Sequence, residues 1–197
     1  MDRLEKKIKQ LSRLVQYKNK SKEELARELG VTVDLLERGD EISKRYYRER
    51  HKKEFKLECE AFCKEIWKPY FEGRWHVIDL TQPATQYFQV ENLPISEEAK
   101  NEVRKFIKSL DFPCDGILYR WSVMIPFDYK FKHRTPYGIG IECEDYDGYY
   151  EKYVKKKIPL YLLIWDNYRK KRFWHRVKNP KNYKVEYFSD YPHYMIT

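Results

Sequence analysis

Residues 159–165, PLYLLIW, form an uninterrupted apolar run. It is far shorter than the roughly 20 residues a membrane span needs. A strand with one wet face alternates apolar and polar residues, so a continuous run predicts a strand covered on both faces. Such a strand needs a layer on each side of its sheet. The expected fold class is therefore α/β, a mixed central β-sheet flanked by helices.

The rest of the chain supplies those layers. Leu4, Ile8, Leu11 and Val15 recur at helical spacing. Ser21 with Glu24 three residues on predicts a capping box, and Gly30 the end of a short helix. Val33, Leu35 and Leu36 predict another short helix, ended by Gly39. The stretch SKEELARELGVTVDLLER resembles a helix-turn-helix, but Asp34 and Glu37 make its second helix poor for phosphate contact. A helical hairpin for packing or dimerisation is the preferred reading. From Glu41 to Phe71 the pattern is one long helix or two nearly collinear ones. Its first half, KRYYRERHKKEFK, is basic, and its second buries Phe55, Phe62, Ile66 and Trp67. Gly73 breaks it. Trp75–Leu80 reads as a strand, TQPATQYFQVENLP as a loop, and Ser96 as the cap of a helix with Val103, Phe106, Ile107 and Leu110 inward. Ile117–Val123 and Ile125–Phe131 predict a hairpin. A helix over Asp145–Lys157, a turn over Asn167–Lys171 and a strand over Arg172–Val177 complete the order. We expect a helical extension over residues 1–40 and a main domain over 41–197.

Lys and Arg number 40 against 31 Asp and Glu, a formal charge of +9. That excess suits a polyanionic partner such as DNA, because neutralised phosphates release counterions. No apolar run suits a membrane, and MDRLEKKIKQ lacks the apolar stretch of a secretory signal. An intracellular protein is expected, in the cytoplasm or, for a viral source, that of the host. Cys59, Cys63, Cys114 and Cys143 have no His placed to complete a zinc site, and read as small buried hydrophobes.

The chemistry concentrates in PCDGILYRWSVMIPFDYKFK, residues 113–132. Asp115 starts one predicted strand; Asp128 and Lys130 stand two apart on the next and so share a face. The hairpin brings two carboxylates and an ammonium together. That cluster is unfavourable in an apolar setting unless a cation compensates. Mg²⁺, or Mn²⁺, would take carboxylate oxygens, waters and a backbone carbonyl such as that of Tyr129. Glu142 and Glu144 rank second as carboxylates, because neither has a Lys two residues on.

An acidic residue, a strand-sized gap, then Asp-x-Lys resembles the PD-(D/E)xK nucleases, within them the Holliday-junction-resolvase-like, restriction-endonuclease-like members. Here the pattern is Pro113-Cys114-Asp115 and, thirteen residues after the acid, Asp128-Tyr129-Lys130. The following loop, Tyr-rich helix and strand match the family order, and the likeness spans about residues 54–177. The literal Pro-Asp pair is absent, since Cys114 intervenes. The resemblance implies a metal-dependent endonuclease that hydrolyses DNA phosphodiester bonds. Asp115, Asp128 and Tyr129 would hold metal, and Lys130 would position the nucleophile. A glutamate from the preceding helix often assists. Glu54, Glu58 and Glu60 compete for that role, and Glu58 is preferred because it lies a turn from Phe55 and Phe62. Iron–sulfur relatives carry three cysteines near the C-terminus, and none follows Cys143 here, so no cluster is expected.

Basic residues flanking the motif are the expected DNA contacts: Arg45, Arg48, Lys52, Lys53, Lys132, Lys155, Lys156, Arg169 and Lys170. Cutting both strands takes two sites, so a homodimer is expected. The alternative from another class is a non-catalytic DNA-binding regulator on a nuclease-like fold.

Overall fold

The computed structural model describes residues 20–81, 83–110, 114–132, 139–188 and 191–196. The helix expected over Leu4–Val15 lies outside them. In chain order come α1 (Lys22–Leu29), α2 (Val33–Glu49), α3 (Lys53–Phe71), β1 (His76–Asp79), α4 (Pro83–Glu91) and α5 (Glu97–Ser109). Then follow β2 (Gly116–Arg120), β3 (Val123–Lys132), β4 (Gly140–Glu142) and α6 (Cys143–Tyr149), which continues as a π-turn over Tyr150–Val154. The chain closes with β5 (Tyr161–Asp166), β6 (Lys171–Arg176), β7 (Lys184–Phe188) and β8 (Tyr191–Met195).

The central sheet has the order β1-β2-β3-β5-β6. Only the β3–β5 pair is parallel; the others are antiparallel. The apolar run becomes β5, and its side chains divide as a doubly covered strand requires. Leu163 and Trp165 pack with Leu36, Ile42, Phe62, Ile66 and Trp67 of α2 and α3. Leu162 and Ile164 pack on the opposite face with Tyr146, Tyr149 and Tyr153. A third cluster joins Ile78 and Ile117 to Val90 of α4 and Val103 of α5. The mixed sheet flanked by helices is thus present.

The helix ends follow local chemistry. Ser21 and Glu24 form the expected capping box, and Gly30 closes α1 in the left-handed conformation at φ 68°. The expected boundary at residue 40 falls inside α2, whose Leu36 and Ile42 are fully buried in the main core. The helical hairpin therefore packs on the main core. Arg172 locks it down by donating to the carbonyls of Leu29, at the end of α1, and Ile66, in α3.

Two local expectations are corrected, and a second sheet is added. Gly39 does not end a helix; α2 runs through it for 17 residues. Its role is contact, since a Cβ there would lie 2.7 Å from the Phe62 ring and 3.0 Å from Asn167 Oδ1. The expected loop after Leu80 contains α4, begun by Pro83, which suits a first helical turn, and anchored by buried Val90. The C-terminal residues form β7 and β8, which join β4 in a second, three-stranded antiparallel sheet absent from the sequence reading. The long basic helix is broken at Arg50–Lys52 between α2 and α3.

Gly39→Ala weighs two opposed effects. Alanine favours an isolated helix by about 1 kcal/mol. Overpacking a rigid contact costs about 1–3 kcal/mol. Phe62 is fully buried and has nowhere to move, so we expect net destabilisation. Thermal melts followed by circular dichroism should show a lower midpoint for the variant, and a higher one would refute the contact role.

Candidate active site

The site forms where β2 begins and β3 continues. Gly116 opens β2 because a Cβ there would meet the Ile78 carbonyl at 2.7 Å and the Phe127 ring at 2.6 Å. Its absence lets β1, β2 and β3 close tightly, with Asp115 just beyond the strand. From Asp128 onward β3 has no β2 partner. Side chains replace the missing ladder. The Asp115 N–H donates to the Phe127 carbonyl (3.0 Å) and to Asp128 Oδ1 (3.0 Å). The Tyr129 N–H donates to Asp115 Oδ2 at 2.7 Å. Asp128 thus accepts from the backbone of Asp115, and Asp115 from that of Tyr129, the residue after Asp128. Along a strand the N–H and C=O of one residue point to the same side, so the Tyr129 carbonyl also turns toward Asp115.

Lys130 completes the group. Its Nζ lies 3.6 Å from Asp128 Oδ2 and 5.1 Å from the centre of the Tyr149 ring. Burial opposes its charge, but Tyr149, Asp128 and Asp145 outweigh burial and raise its pKa above the usual lysine range. Burial, and then the Asp128 charge, push Asp115 up to about 7. Lys132 is pulled down to about 8, first by burial and then by Lys130.

These residues open onto a cleft of about 590 Å³ between α3, β3 and α6. Asp115, Tyr129, Lys130 and Lys132 line it, with Arg50 and His51 after α2, Lys56 and Glu60 on α3, Glu142 and Asp145 by α6, and Tyr191 on β8. Glu142 and Glu144 mark the start of α6, as N-cap residue and first-turn acid. Asp115 also borders a smaller recess with Lys64 and Asp79.

The structure separates the three candidate glutamates. Glu58 is ion-paired with Arg45 and does not line the cleft. Glu54 is exposed at the start of α3. Glu60 lines the cleft beside Asp115 and pairs with Lys64 at 2.9 Å, which in turn holds Asp79 at 2.8 Å.

The expected DNA contacts are dispersed. Lys132 lies in the cleft; Lys52 and Lys53 are exposed near its rim at the start of α3. Arg45 pairs with Glu58 and Glu49, and Arg48 with Glu49. Lys170 is bonded to Asp40. Lys155 and Lys156 precede β5, whereas Arg169 and Lys170 follow it, so that strand separates the two groups. Arg50 belongs to the basic stretch expected to meet DNA, whereas Lys56, Tyr149 and Tyr191 were not anticipated as site residues. Tyr149 carried a signal in the Tyr-rich helix, but Tyr191 comes from a sheet that sequence patterning did not show.

Among the described residues no three His, Cys, Asp or Glu side chains converge to hold a metal ion. The groups that could serve as donors are Asp115, Asp128 and a backbone carbonyl. They fit a hard cation that keeps several waters, as Mg²⁺ does. Burial first, and then Asp128, raise the Asp115 pKa, and Lys130 works against both.

This pKa sets the sign of a stability test without metal. A folded value near 7, above the ordinary 3.8, means the fold favours protonated Asp115. That stabilisation is present below about pH 4 and is lost as pH rises through about 7. Asp115→Asn carries no such charge and can still accept from Tyr129. In EDTA, the melting temperature of Asp115→Asn relative to the native chain should therefore rise between about pH 5 and pH 8.5. Parallel pH curves for the two would exclude a buried, strained carboxylate.

No family model matches the sequence, and no curated protein or solved structure matches it significantly.

Proposed function

We propose that this chain is a divalent-cation-dependent endonuclease that hydrolyses phosphodiester bonds of duplex or branched DNA, in the manner of PD-(D/E)xK junction-resolving enzymes. The observation that supports it is the hydrogen-bonded pair Asp115 and Asp128, with Lys130 beside it, at the open edge of β3. Asp115, Asp128 and the Tyr129 carbonyl would hold Mg²⁺ or Mn²⁺, which would neutralise the scissile phosphate and acidify a bound water.

The chain's own groups have distinct tasks. Lys130, charged at neutral pH, places its ammonium at the mouth of the acid pair, where it can orient a water or a phosphate oxygen. Its 3.6 Å contact with Asp128 is too long for a good hydrogen bond, so leaving it for a phosphate sacrifices little. Glu60, on the wall from α3, takes the assisting place expected of Glu58. Lys132 and Arg50 give the phosphate backbone positive contacts. A homodimer would supply two sites for paired cuts.

A second reading is a DNA-binding protein without cleavage on this fold. The Lys130–Asp128 ion pair favours it, because it neutralises both groups without any cation.

One assay separates the two. Plasmid and synthetic four-way junctions are incubated with the full chain, with and without Mg²⁺, beside Asp128→Asn and Lys130→Ala. We expect cleavage only with the cation, and a loss of at least about a hundredfold in each variant. Binding, measured in Ca²⁺ at low salt, should stay within a few-fold. Asp128→Asn cutting as fast as the native chain would end the assignment, and binding without cleavage in the native chain would select the second reading.

A further inference from the structure

The β2–β3 hairpin turns through Trp121 and Ser122, which have φ of 48° and 65°. Two-residue hairpin turns need such left-handed values and normally use Asn, Asp or Gly. A bulky Trp in this conformation is strained, and it is also 80% exposed, the most exposed large apolar side chain among the described residues. Burial does not account for either feature. Strain retained at an exposed tip points to selection for what the side chain meets in solution.

The surroundings indicate the partner. The Arg120 guanidinium lies over the Trp121 ring, 3.7 Å from its centre. A flat cation stacked on indole leaves the opposite ring face open to a second flat group. Register places more cations at this end of the sheet. Arg120 pairs with Val123 at the base of the turn, and Arg74 precedes the β1 end that pairs with Tyr119. An anionic strand with exposed bases matches both the rings and the charges.

We propose that the Trp121 tip is a stacking platform for an unpaired base of a nucleic acid. It deepens the nuclease reading and rests on it for the identity of the polyanion. Asp115 precedes β2 and Trp121 follows it, so the platform stands about 20 Å from the acids along the strand. That distance corresponds to roughly six nucleotides of stacked strand. The chain would then engage DNA whose pairing is interrupted about half a helical turn from the cut, as at a junction or a flap.

The test uses full-length protein in EDTA, so it does not depend on cleavage. A fluorescein-labelled oligothymidine and a duplex of equal length are titrated by anisotropy, and intrinsic Trp emission is followed with unlabelled oligothymidine. We expect saturable quenching by the single strand. Trp121→Asn, which suits the left-handed turn, should abolish most of the quenching and weaken single-strand binding about tenfold. Trp121→Phe should keep most of the affinity, and circular dichroism should show both variants folded. Unchanged affinity in Trp121→Asn would overturn the proposal. So would a blue shift on anionic vesicles without quenching by DNA, or self-association that only Trp121→Asn removes. Cleavage that persists while Trp121→Asn binds normally would defeat the platform alone. Quenching that depends on Trp121 in a protein that never cuts would defeat the nuclease reading alone.

Discussion

The molecule solves an edge problem at the point where β2 begins and β3 runs on without a partner on that side. Buried backbone groups must find partners, and here they find carboxylates. Asp115 accepts from Tyr129, Asp128 accepts from Asp115, and the two strands are joined by acids rather than by the sheet ladder. The same bonds that complete the fold hold two like charges close together in a poorly solvated place. Fold and chemistry therefore share one set of contacts, and Gly116 is the geometric condition for both.

Much of this was legible because it depends on short spacings. A period of two places Asp128 and Lys130 on one side of a strand, and a tight hairpin returns that strand to Asp115. The run in β5 required layers on both faces, and the division of Leu162 and Ile164 from Leu163 and Trp165 meets that requirement. What was not legible depends on distant partners. Gly39 has the composition of a helix stop, yet Phe62 across the helix pair makes it a contact glycine. The second sheet joins Gly140–Glu142 to the C-terminus, and such pairing has no local signature.

The glutamate choice shows the limit well. Glu58 and Glu60 are two residues apart on α3, hence about 200° apart around its axis. Glu58 lies about 60° from the buried stripe of Phe55, Phe62 and Ile66 and Glu60 about 140°, so periodicity favours Glu58. Which of the two meets Asp115 is set by how α3 lies on β3, with α2 covering the other side. Arg45 of α2 takes Glu58, and the cleft receives Glu60. Arg45, Arg48 and Lys170 show the same principle from the cationic side, since their acid partners come from packing or from neighbouring turns.

The charges of the cleft also bear on how it would take DNA. Arg50, Lys56, Lys130 and Lys132 are set against Glu60, Asp115, Glu142 and Asp145, so this lining is nearly balanced even though the chain carries +9. A balanced cleft gives a phosphate little net attraction, and its two central acids repel it. A divalent cation between Asp115 and Asp128 would reverse that local sign and favour the phosphate. Metal and DNA would then bind with positive coupling, each raising the affinity for the other by the same factor. The excess of positive charge elsewhere would hold the polyanion without cation, through contacts that salt screens. Retention by the outer surface and admission to the cleft would thus be separate events, with the acid pair controlling only the second.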